Sequence, residues 1–451
     1  MFRIGSAEGF YGDDVTRALP MIVGGHVDVV CFEALSELTL AILRRDQMRD
    51  ARRGYTRDID VIAERILPHA FERKIPLITN GGGLNPTGAA EAVRAAAERA
   101  GLRGLKIAVV TGDDLLPRLP ELLASGEPLA NMETGQALAL DGPPIVTANA
   151  YLGAQPIVAA LAQGADIVIT GRVADPSLYL APLIHHYGWV ADDWDRLASG
   201  TICGHLLECT GQVVGGNSLA LLDEIAPAAL AHPGYPIAEV ASDGSFVVTK
   251  VPGTPGRVSL ETVKEQLLYE MHDPRAYITP DVVADITTLR LEDAGMDHVR
   301  VSGVTGRPRT ETLKVNVARL EGYLRELIFT LGWPRVYRKE EQLKGMLAAA
   351  WESLPITRIE YTRLGQDSLF GPLVLPPDDP LELIVRVMFT AADPDTLKTA
   401  VRRAMALGLS GPAGMAVSGG TVGAEPRALL GLWPALIARD TITPSVTLNE
   451  V

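Results

Sequence analysis

The chain has 451 residues, 47% of them apolar, which is enough to build two or three domains with hydrophobic cores of their own. Its 41 Lys and Arg residues against 55 Asp and Glu give a net charge of −14, so we expect no nucleic-acid partner. Three cysteines without CxxC spacing indicate a reducing compartment. Without a signal peptide or roughly 18 consecutive apolar residues, a cytoplasmic protein with no membrane span is expected.

Short apolar strands alternate with helices in the first half of the chain. We predict strands at Phe2–Gly5, Val27–Phe32, Pro76–Thr79, Lys106–Thr111, Ile145–Asn149 and Asp166–Thr170. This alternation is typical of parallel strands joined by crossover helices, and uninterrupted apolar strands indicate a sheet covered on both faces. The sequence therefore predicts a Rossmann-like α/β domain with a mostly parallel sheet at residues 1–235.

The sequence pattern changes after residue 235. Asp243-Gly244 between two β-branched runs predicts a hairpin, and longer strands with alternating polarity follow, such as Glu382–Thr390. We predict helices near Thr262–Met271 and Pro394–Ala406, and a loop at "LVLPPDDPLE", residues 373–382. The second domain is therefore expected to be α+β, with a mixed or antiparallel sheet, at residues 236–451.

A glycine-rich loop follows the strand that ends at Thr79. Ligands of open α/β sheets bind at the carboxyl ends of the strands, where "NGGGLNP" places Asn80, Gly81, Gly82, Gly83 and Asn85. Asn85 followed by a proline predicts the start of a helix, so free amides would face a carboxylate, a phosphate or an oxyanion. We predict a substrate-binding loop in which both asparagines orient the ligand. A tight turn that needs glycine only for positive φ is the alternative.

Acidic, basic and imidazole groups supply the candidates for catalysis. Glu33 and Glu37 would share one face if a helix has begun by Glu33, and two close carboxyls can divide acid and base roles. Stabilisation of a helix N-terminus is the alternative. Arg172 follows a strand and is predicted to bind an anion. His232, at the predicted domain junction, is a candidate for proton transfer, with a turn or core histidine as the alternative.

Three further observations concern ligands and cofactors. Gln212 and Asn217, in "CTGQVVGGN", are candidate substrate-binding residues. The first loop, "GSAEGFYGDD", lacks GxGxxG spacing, so no organic cofactor is expected. A divalent metal ion could be held by acidic loops, with Asp13 and Asp14 as candidate ligands, although both aspartates equally suit a helix N-terminus.

Numerous ordered motifs resemble those of the acyclic terpene utilisation family AtuA. They include "GSAEGFYGDD", "CFEALSELTLAIL", "NGGGLNP", "TGRVADPSLYLAP", "ECTGQVVGGN" and "VKEQLLYEMHDP". The sequence departs from the family pattern at Glu33 and Ala34, where Asp-Tyr is usual, and it resembles members that lack an extra small C-terminal domain. No catalytic residue is carried over from the family.

The resemblance implies a cytoplasmic protein of branched terpenoid-acid degradation. Its substrate would be an acyl-CoA or a carboxylate, and the reaction a lyase or hydratase step that uses acid–base and oxyanion chemistry. The alternative is a non-catalytic acyl-CoA-binding or assembly subunit of the same pathway. Proteins of this size commonly form symmetric assemblies, so a homo-oligomer is expected.

Overall fold

The structure, a computed structural model, describes residues 1–373 and 378–451. Its strands are β1 (Phe2–Ser6), β2 (Val29–Phe32), β3 (Leu77–Thr79), β4 (Lys106–Thr111), β5 (Ile145–Ala150), β6 (Ile167–Thr170), β7 (Pro236–Val240), β8 (Phe246–Lys250), β9 (Tyr277–Ile278), β10 (Val283–Asp285), β11 (Arg290–Asp293), β12 (Val299–Ser302), β13 (Thr305–Arg307), β14 (Thr312–Gly332), β15 (Ile356–Leu364), β16 (Glu382–Ala391), β17 (Met415–Val417), β18 (Arg427–Ala438) and β19 (Ser445–Glu450). Residues 374–377 of the predicted loop "LVLPPDDPLE" lie outside the described residues.

The α-helices are α1 (Ala18–Val23), α2 (Glu37–Arg49), α3 (Asp58–Val61), α4 (Leu67–Arg73), α5 (Pro86–Ala100), α6 (Leu119–Ala124), α7 (Gln155–Ala162), α8 (Ser177–Tyr187), α9 (Trp194–Glu208), α10 (Pro227–Leu230), α11 (Leu260–Leu268), α12 (Val336–Trp351), α13 (Pro394–Met405) and α14 (Gly419–Val422). Single turns of 3₁₀-helix lie at Val15–Arg17, Leu116–Arg118, Thr210–Gln212, Gly371–Leu373 and Arg439–Thr441, and a π-helical turn at Ile62–Ile66. Across the described ranges, no helix is both long enough and apolar enough to cross a membrane.

Five parallel strands form the centre of the largest sheet, in the spatial order β1, β2, β3, β6 and β4. β2, β3 and β6 are buried along their whole length, as their uninterrupted apolar sequences predict for strands covered on both faces. The mixed α/β class is therefore confirmed. The narrower expectation of a Rossmann-like domain stays a prediction.

One predicted strand of the parallel sheet lies elsewhere. The strand expected at Ile145–Asn149 forms as β5, but it pairs with β14 and not with the parallel strands. An apolar run shows that a strand is buried and does not show which strand it pairs with.

Antiparallel strands extend the sheet at both edges. β7 and β8 form the hairpin predicted at Asp243-Gly244, and β7 pairs with β1. β12 and β11 continue the sheet beyond β8, while β19 pairs with β4 at the opposite edge. The sheet thus continues past residue 235, and the change of pattern there marks the switch from parallel to antiparallel pairing.

The chain divides into two compact units. The first comprises residues 1–139, 146–317 and 432–451, and it contains the large sheet. The second comprises residues 140–145 and 318–431. This division differs from the expected domains 1–235 and 236–451, because strands β7, β8, β11 and β12 belong to the sheet of the first unit.

The second unit has a core between an antiparallel sheet and two helices. Its sheet has the order β15, β16, β14 and β17. Alternate residues of β14 and β16, such as Leu327, Phe329 and Val385, pack against Leu347 of α12 and Leu397 of α13. This alternation leaves one face of each strand for the apolar core.

Candidate functional site

A cavity of about 550 Å³ opens at the carboxyl ends of the parallel strands β2 and β6. All of its lining residues belong to the first unit. We call its buried and half-buried charged side chains the floor: Glu33, Glu37, Arg172, Asp175, Glu208 and Lys314. We call its exposed apolar side chains the rim: Phe10, Met132, Tyr269, Ile278 and Leu436. The cavity lies where ligands of open α/β sheets bind.

Arg172 occupies the centre of the floor and is only 2% exposed. Its Nη1 donates to Asp175 Oδ1 at 2.7 Å and to the Leu35 carbonyl at 2.6 Å, and its guanidinium lies 4.2 Å from the centre of the Tyr151 ring. Burial alone would lower the pKa of Arg172, but Asp175 and the neighbouring acids raise it well above its ordinary value. The guanidinium is therefore charged and already paired.

The backbone of Arg172 is held from behind by a buried carboxyl. Asp113 Oδ2 accepts from the Arg172 amide at 2.8 Å and from Asn149 Nδ2 at 2.9 Å. Burial raises the pKa of Asp113 to about 6, against the lowering effect of these hydrogen bonds. Asp113 does not line the cavity, so it positions Arg172 and does not itself meet a ligand.

Glu33 lies beside Arg172, 3.8 Å from its Nη1, and is held in one orientation. Its Oε1 accepts from Asn80 Nδ2 at 2.9 Å and from the Leu35 amide at 2.8 Å, while Asn80 Oδ1 accepts from the Ala34 amide at 2.7 Å. Burial, with the Asp175 carboxylate nearby, raises the pKa of Glu33 well above its ordinary value. Glu33 therefore holds a proton more readily than an ordinary glutamate, and Asn80 orients it without lining the cavity.

Glu37 has a different environment from Glu33. Its Oε1 accepts from the Tyr151 hydroxyl at 2.6 Å and from Lys314 Nζ at 3.0 Å. Burial opposes its charge, but these two partners lower the pKa of Glu37 to about 2. The two glutamates do not share a helical face, because Ser36 caps α2 and the helix begins only at Glu37.

His205 and Glu208 form a buried pair at the end of α9. His205 Nδ1 lies 3.0 Å from Glu208 Oε1, and His205 Nε2 lies 3.3 Å from the Leu267 carbonyl. A carbonyl only accepts, so Nε2 carries a proton, and Nδ1 shares a second one with Glu208. Burial raises the pKa of Glu208 to about 7, against the lowering effect of His205. Glu208 lines the cavity, and its Oε2 has no hydrogen-bond partner among the described residues.

The rim differs in chemistry from the floor. Its apolar side chains come from four separate segments, and they remain open to solvent, with Phe10 62% and Ile278 61% exposed. Large apolar side chains that share one exposed patch mark binding surfaces more often than isolated ones do. The cavity can therefore accept an apolar chain at its mouth and a polar group at its floor.

Comparison with known proteins identifies the family of the chain. No curated protein and no solved structure matches the chain. The acyclic terpene utilisation family protein AtuA matches residues 2–448. The chain belongs to this family. The resemblance carried by the sequence motifs is thereby confirmed, and AtuA membership implies a part in acyclic terpene utilisation.

The AtuA motif "NGGGLNP" does not present free amides to the cavity, contrary to expectation. Gly81, Gly82 and Gly83 are buried and do not line it. The Gly81 amide donates to Thr79 Oγ1 at 2.9 Å, and the Gly83 amide to the Asn80 carbonyl at 3.1 Å. A side chain at Gly82 would lie 2.5 Å from the Thr170 carbonyl. The absence of a side chain at Gly82 allows the loop to pack against β6, which a sequence pattern alone does not reveal.

Several other predicted site residues also lie outside the cavity. Asn85 caps α5 as predicted, accepting from the Gly88 amide at 3.0 Å, and its amide group donates to backbone carbonyls. Gln212 donates to Gln266 and accepts from Asn217, which has a positive φ of 58°. His232 is exposed and does not line the cavity. Its predicted proton-transfer role is therefore not supported by its position.

The two aspartates proposed as metal ligands make other contacts. Asp13 accepts from the Tyr235 hydroxyl, the Gly9 amide and Thr210, and Asp14 caps the 3₁₀ turn at Val15–Arg17. Among the residues that the structure describes, no three His, Cys, Asp or Glu side chains are grouped so that they could hold a metal ion. A divalent-ion requirement therefore stays a prediction, for which these residues do not identify ligands.

Sequence reasoning missed part of the floor. Tyr151 directly follows β5 and Lys314 lies in β14, and no local spacing links them to Glu37. His205 and Glu208 are three residues apart on α9, a spacing that brings two side chains together on a helix. That spacing was the available signal for the pair.

Proposed function

We propose that this AtuA family member is an enzyme of branched terpenoid-acid degradation that acts on an acyl-CoA thioester by acid–base chemistry. The observation that carries the proposal is one cavity with an apolar rim above a floor of buried and half-buried titratable groups. Acyclic terpenoid acids have a methyl-branched hydrocarbon chain and one polar end. The cavity offers matching chemistry to both parts of such a molecule.

The floor favours a thioester over a free carboxylate. Both floor cations are already paired, Arg172 with Asp175 at 2.7 Å and Lys314 with Glu37 at 3.0 Å. A free carboxylate would have to compete with these two acids for the cations. An uncharged thioester carbonyl requires only a hydrogen-bond donor, and an ammonium has three donor hydrogens, so Lys314 can supply one while it stays bound to Glu37.

Proton transfer is assigned to two carboxyls with different environments. Glu208, which lines the cavity and has a pKa near 7, is suited to act as a general base at neutral pH. Glu33, whose pKa burial raises, is suited to donate a proton. A base, an acid and a donor to the developing oxyanion are the groups that a retro-aldol lyase or a hydratase needs.

Cysteine chemistry is a weaker explanation of the same cavity. Cys209 lines it, but burial raises the pKa of this thiol above its ordinary value. A nucleophilic cysteine needs a lowered pKa, because the thiolate is the reactive form. We therefore assign no covalent step to Cys209.

The test incubates the purified protein with a panel of branched acyl-CoA thioesters and the corresponding free acids, with and without Mg²⁺, and detects products by mass spectrometry. We expect a thioester to be converted. Glu208→Gln should reduce kcat by about 10²-fold or more while ligand affinity is retained. In the wild type, kcat/KM should fall tenfold per pH unit below about 7.

The matched control is Glu265→Gln, an exposed carboxyl on α11 outside the cavity. Its turnover should equal that of the wild type. Binding of thioesters without turnover by the wild type would favour the alternative, a non-catalytic acyl-CoA-binding or assembly subunit. Neither binding nor turnover of any thioester would refute the proposed substrate class.

A further inference from the structure

An arginine is buried in the second unit at a position that the strand pattern assigns to the core. In β14 the alternate residues Leu327, Phe329 and Leu331 are buried in the apolar core of this unit. Arg325 continues the same alternation and is 5% exposed. Its side chain therefore starts on the face that the helices cover.

Within the described residues the buried guanidinium of Arg325 forms no ion pair, although the Glu425 and Glu326 carboxylates lie near enough to favour its charge. Its Nη2 donates to the Val422 carbonyl at 2.9 Å, while its Nε has no hydrogen-bond partner among the described residues. No ion pair joins it to a carboxylate within those residues either, since Glu425 instead contacts Lys398 at 3.2 Å. A buried charge without a partner is costly, and each such group in a native protein calls for an explanation.

A cavity of about 380 Å³ lies next to Arg325 and contains further basic groups. Lys398 and Arg402 of α13 line it, and Arg427 lines a smaller adjoining cavity of about 200 Å³ that also includes Arg325. Two carboxylates, Glu425 and Glu326, lie in the same walls, so cations outnumber anions there. Such an excess is unusual in a chain with a net charge of −14.

We propose that Arg325, Lys398, Arg402 and Arg427 form a binding site for a phosphate or pyrophosphate group of a small molecule. The planar guanidinium of Arg325 matches the geometry of phosphate oxygens. The surrounding cations suit a ligand with more than one negative charge. The site lies wholly in the second unit and does not depend on the proposed function of the cavity in the first.

The test is isothermal titration calorimetry of the full chain at low salt with inorganic phosphate, inorganic pyrophosphate and adenosine 3′,5′-bisphosphate. We expect the wild type to bind at least one of them. Arg325→Met should weaken binding at least tenfold, and Arg325→Lys should weaken it less. Arg338→Met, which removes an exposed arginine of α12 in the same unit, should leave affinity unchanged.

A stability measurement separates a ligand site from a purely structural arginine. Arg325→Met should be at least as stable as the wild type without ligand, because it removes a buried, unpaired charge. Its melting temperature should no longer rise with the ligand that stabilises the wild type. If Arg325→Met does not fold, the affinity of Arg402→Met for the same compounds is measured instead, and it should also be lower than that of the wild type.

Two results would overturn the proposal: absence of binding by the wild type to all three compounds, or unchanged affinity in both the Arg325→Met and Arg402→Met variants. The three compounds also identify what is recognised. Equal affinity for pyrophosphate and the bisphosphate would mean that the phosphate groups alone are bound. Preference for the bisphosphate would mean that the site also contacts the nucleoside.

Discussion

The substitution Glu208→Gln should make the stability of the protein less sensitive to pH. Burial raises the pKa of Glu208 from its ordinary value of 4.5 to about 7. Between these two values the folded state holds a proton that the unfolded state has released, so the free energy of unfolding falls as pH rises. The stabilising contribution is complete below pH 4.5 and is lost as pH rises through about 7.

The size of this effect follows from the shift. One pKa unit corresponds to about 1.4 kcal/mol, so a rise from 4.5 to about 7 corresponds to about 3 kcal/mol. Glutamine has no proton to release in this range, so the variant should lack this loss. His205 also makes the free energy of unfolding fall as pH rises. Burial lowers the pKa of His205, but Glu208 raises it above its ordinary value, and Glu208→Gln removes this effect of the Glu208 carboxylate as well.

The assay needs no substrate. Urea unfolding of the wild type and of Glu208→Gln, at intervals between about pH 5 and pH 8, gives the free energy of unfolding at each pH. Glu265→Gln, exposed on α11, should show the pH dependence of the wild type. An equal loss of stability in Glu208→Gln and the wild type would show that Glu208 gains no proton on folding, and its assignment as a base near pH 7 would be refuted.

Two further predictions concern packing and the second glutamate. Gly82→Ala should destabilise the protein by about 1–3 kcal/mol, because the added Cβ would lie 2.5 Å from the Thr170 carbonyl. Gly345→Ala lies inside α12 with no atom within 4 Å of the new Cβ, so it should stabilise the protein by about 0.5–1 kcal/mol. Thermal unfolding checks both variants, and equal melting temperatures for the two would contradict the packing argument. Tyr151→Phe removes the 2.6 Å hydrogen bond to Glu37, so the pKa of Glu37 should rise from about 2 toward 4.5. In the wild type, ionised Glu37 contributes to the free energy of unfolding above pH 4.5, and this contribution is lost as pH falls toward about 2. The variant should lose less stability over the same range. NMR titration of the Glu37 carboxyl measures the pKa, and an unchanged pKa in the variant would contradict the prediction.

The sequence was sufficient to predict features that local chemistry determines. The parallel strands were found because apolar, β-branched runs have few alternatives to a buried sheet. The start of α5 was predicted because an asparagine side chain can accept from a free amide of the first helical turn and a proline already has helical φ. Asn85 indeed accepts from the Gly88 amide. The hairpin at Asp243-Gly244 follows from the same kind of short-range preference.

Features that depend on tertiary neighbours could not be predicted. "NGGGLNP" has the composition of an anion-binding loop, but the Gly82 backbone lies against the Thr170 carbonyl of β6, which is far away in the sequence. Lys314 reaches Glu37 across 277 positions of the chain. The cytoplasmic location, the homo-oligomer and the absence of nucleic-acid partners stay predictions.

The floor shows why residue type alone does not assign a role in this cavity. Glu37 and Glu208 have the same side chain and line the same space, yet their pKa values are about 2 and about 7. Glu37 faces a phenol and an ammonium, which favour its ionised form. Glu208 is more deeply buried, and among the described residues its carboxyl is hydrogen-bonded to His205 alone. When two carboxyls in one site have different pKa values, one can have a structural role while the other transfers protons. A reaction near neutral pH would therefore depend on Glu208, with Glu37 holding Lys314 in place.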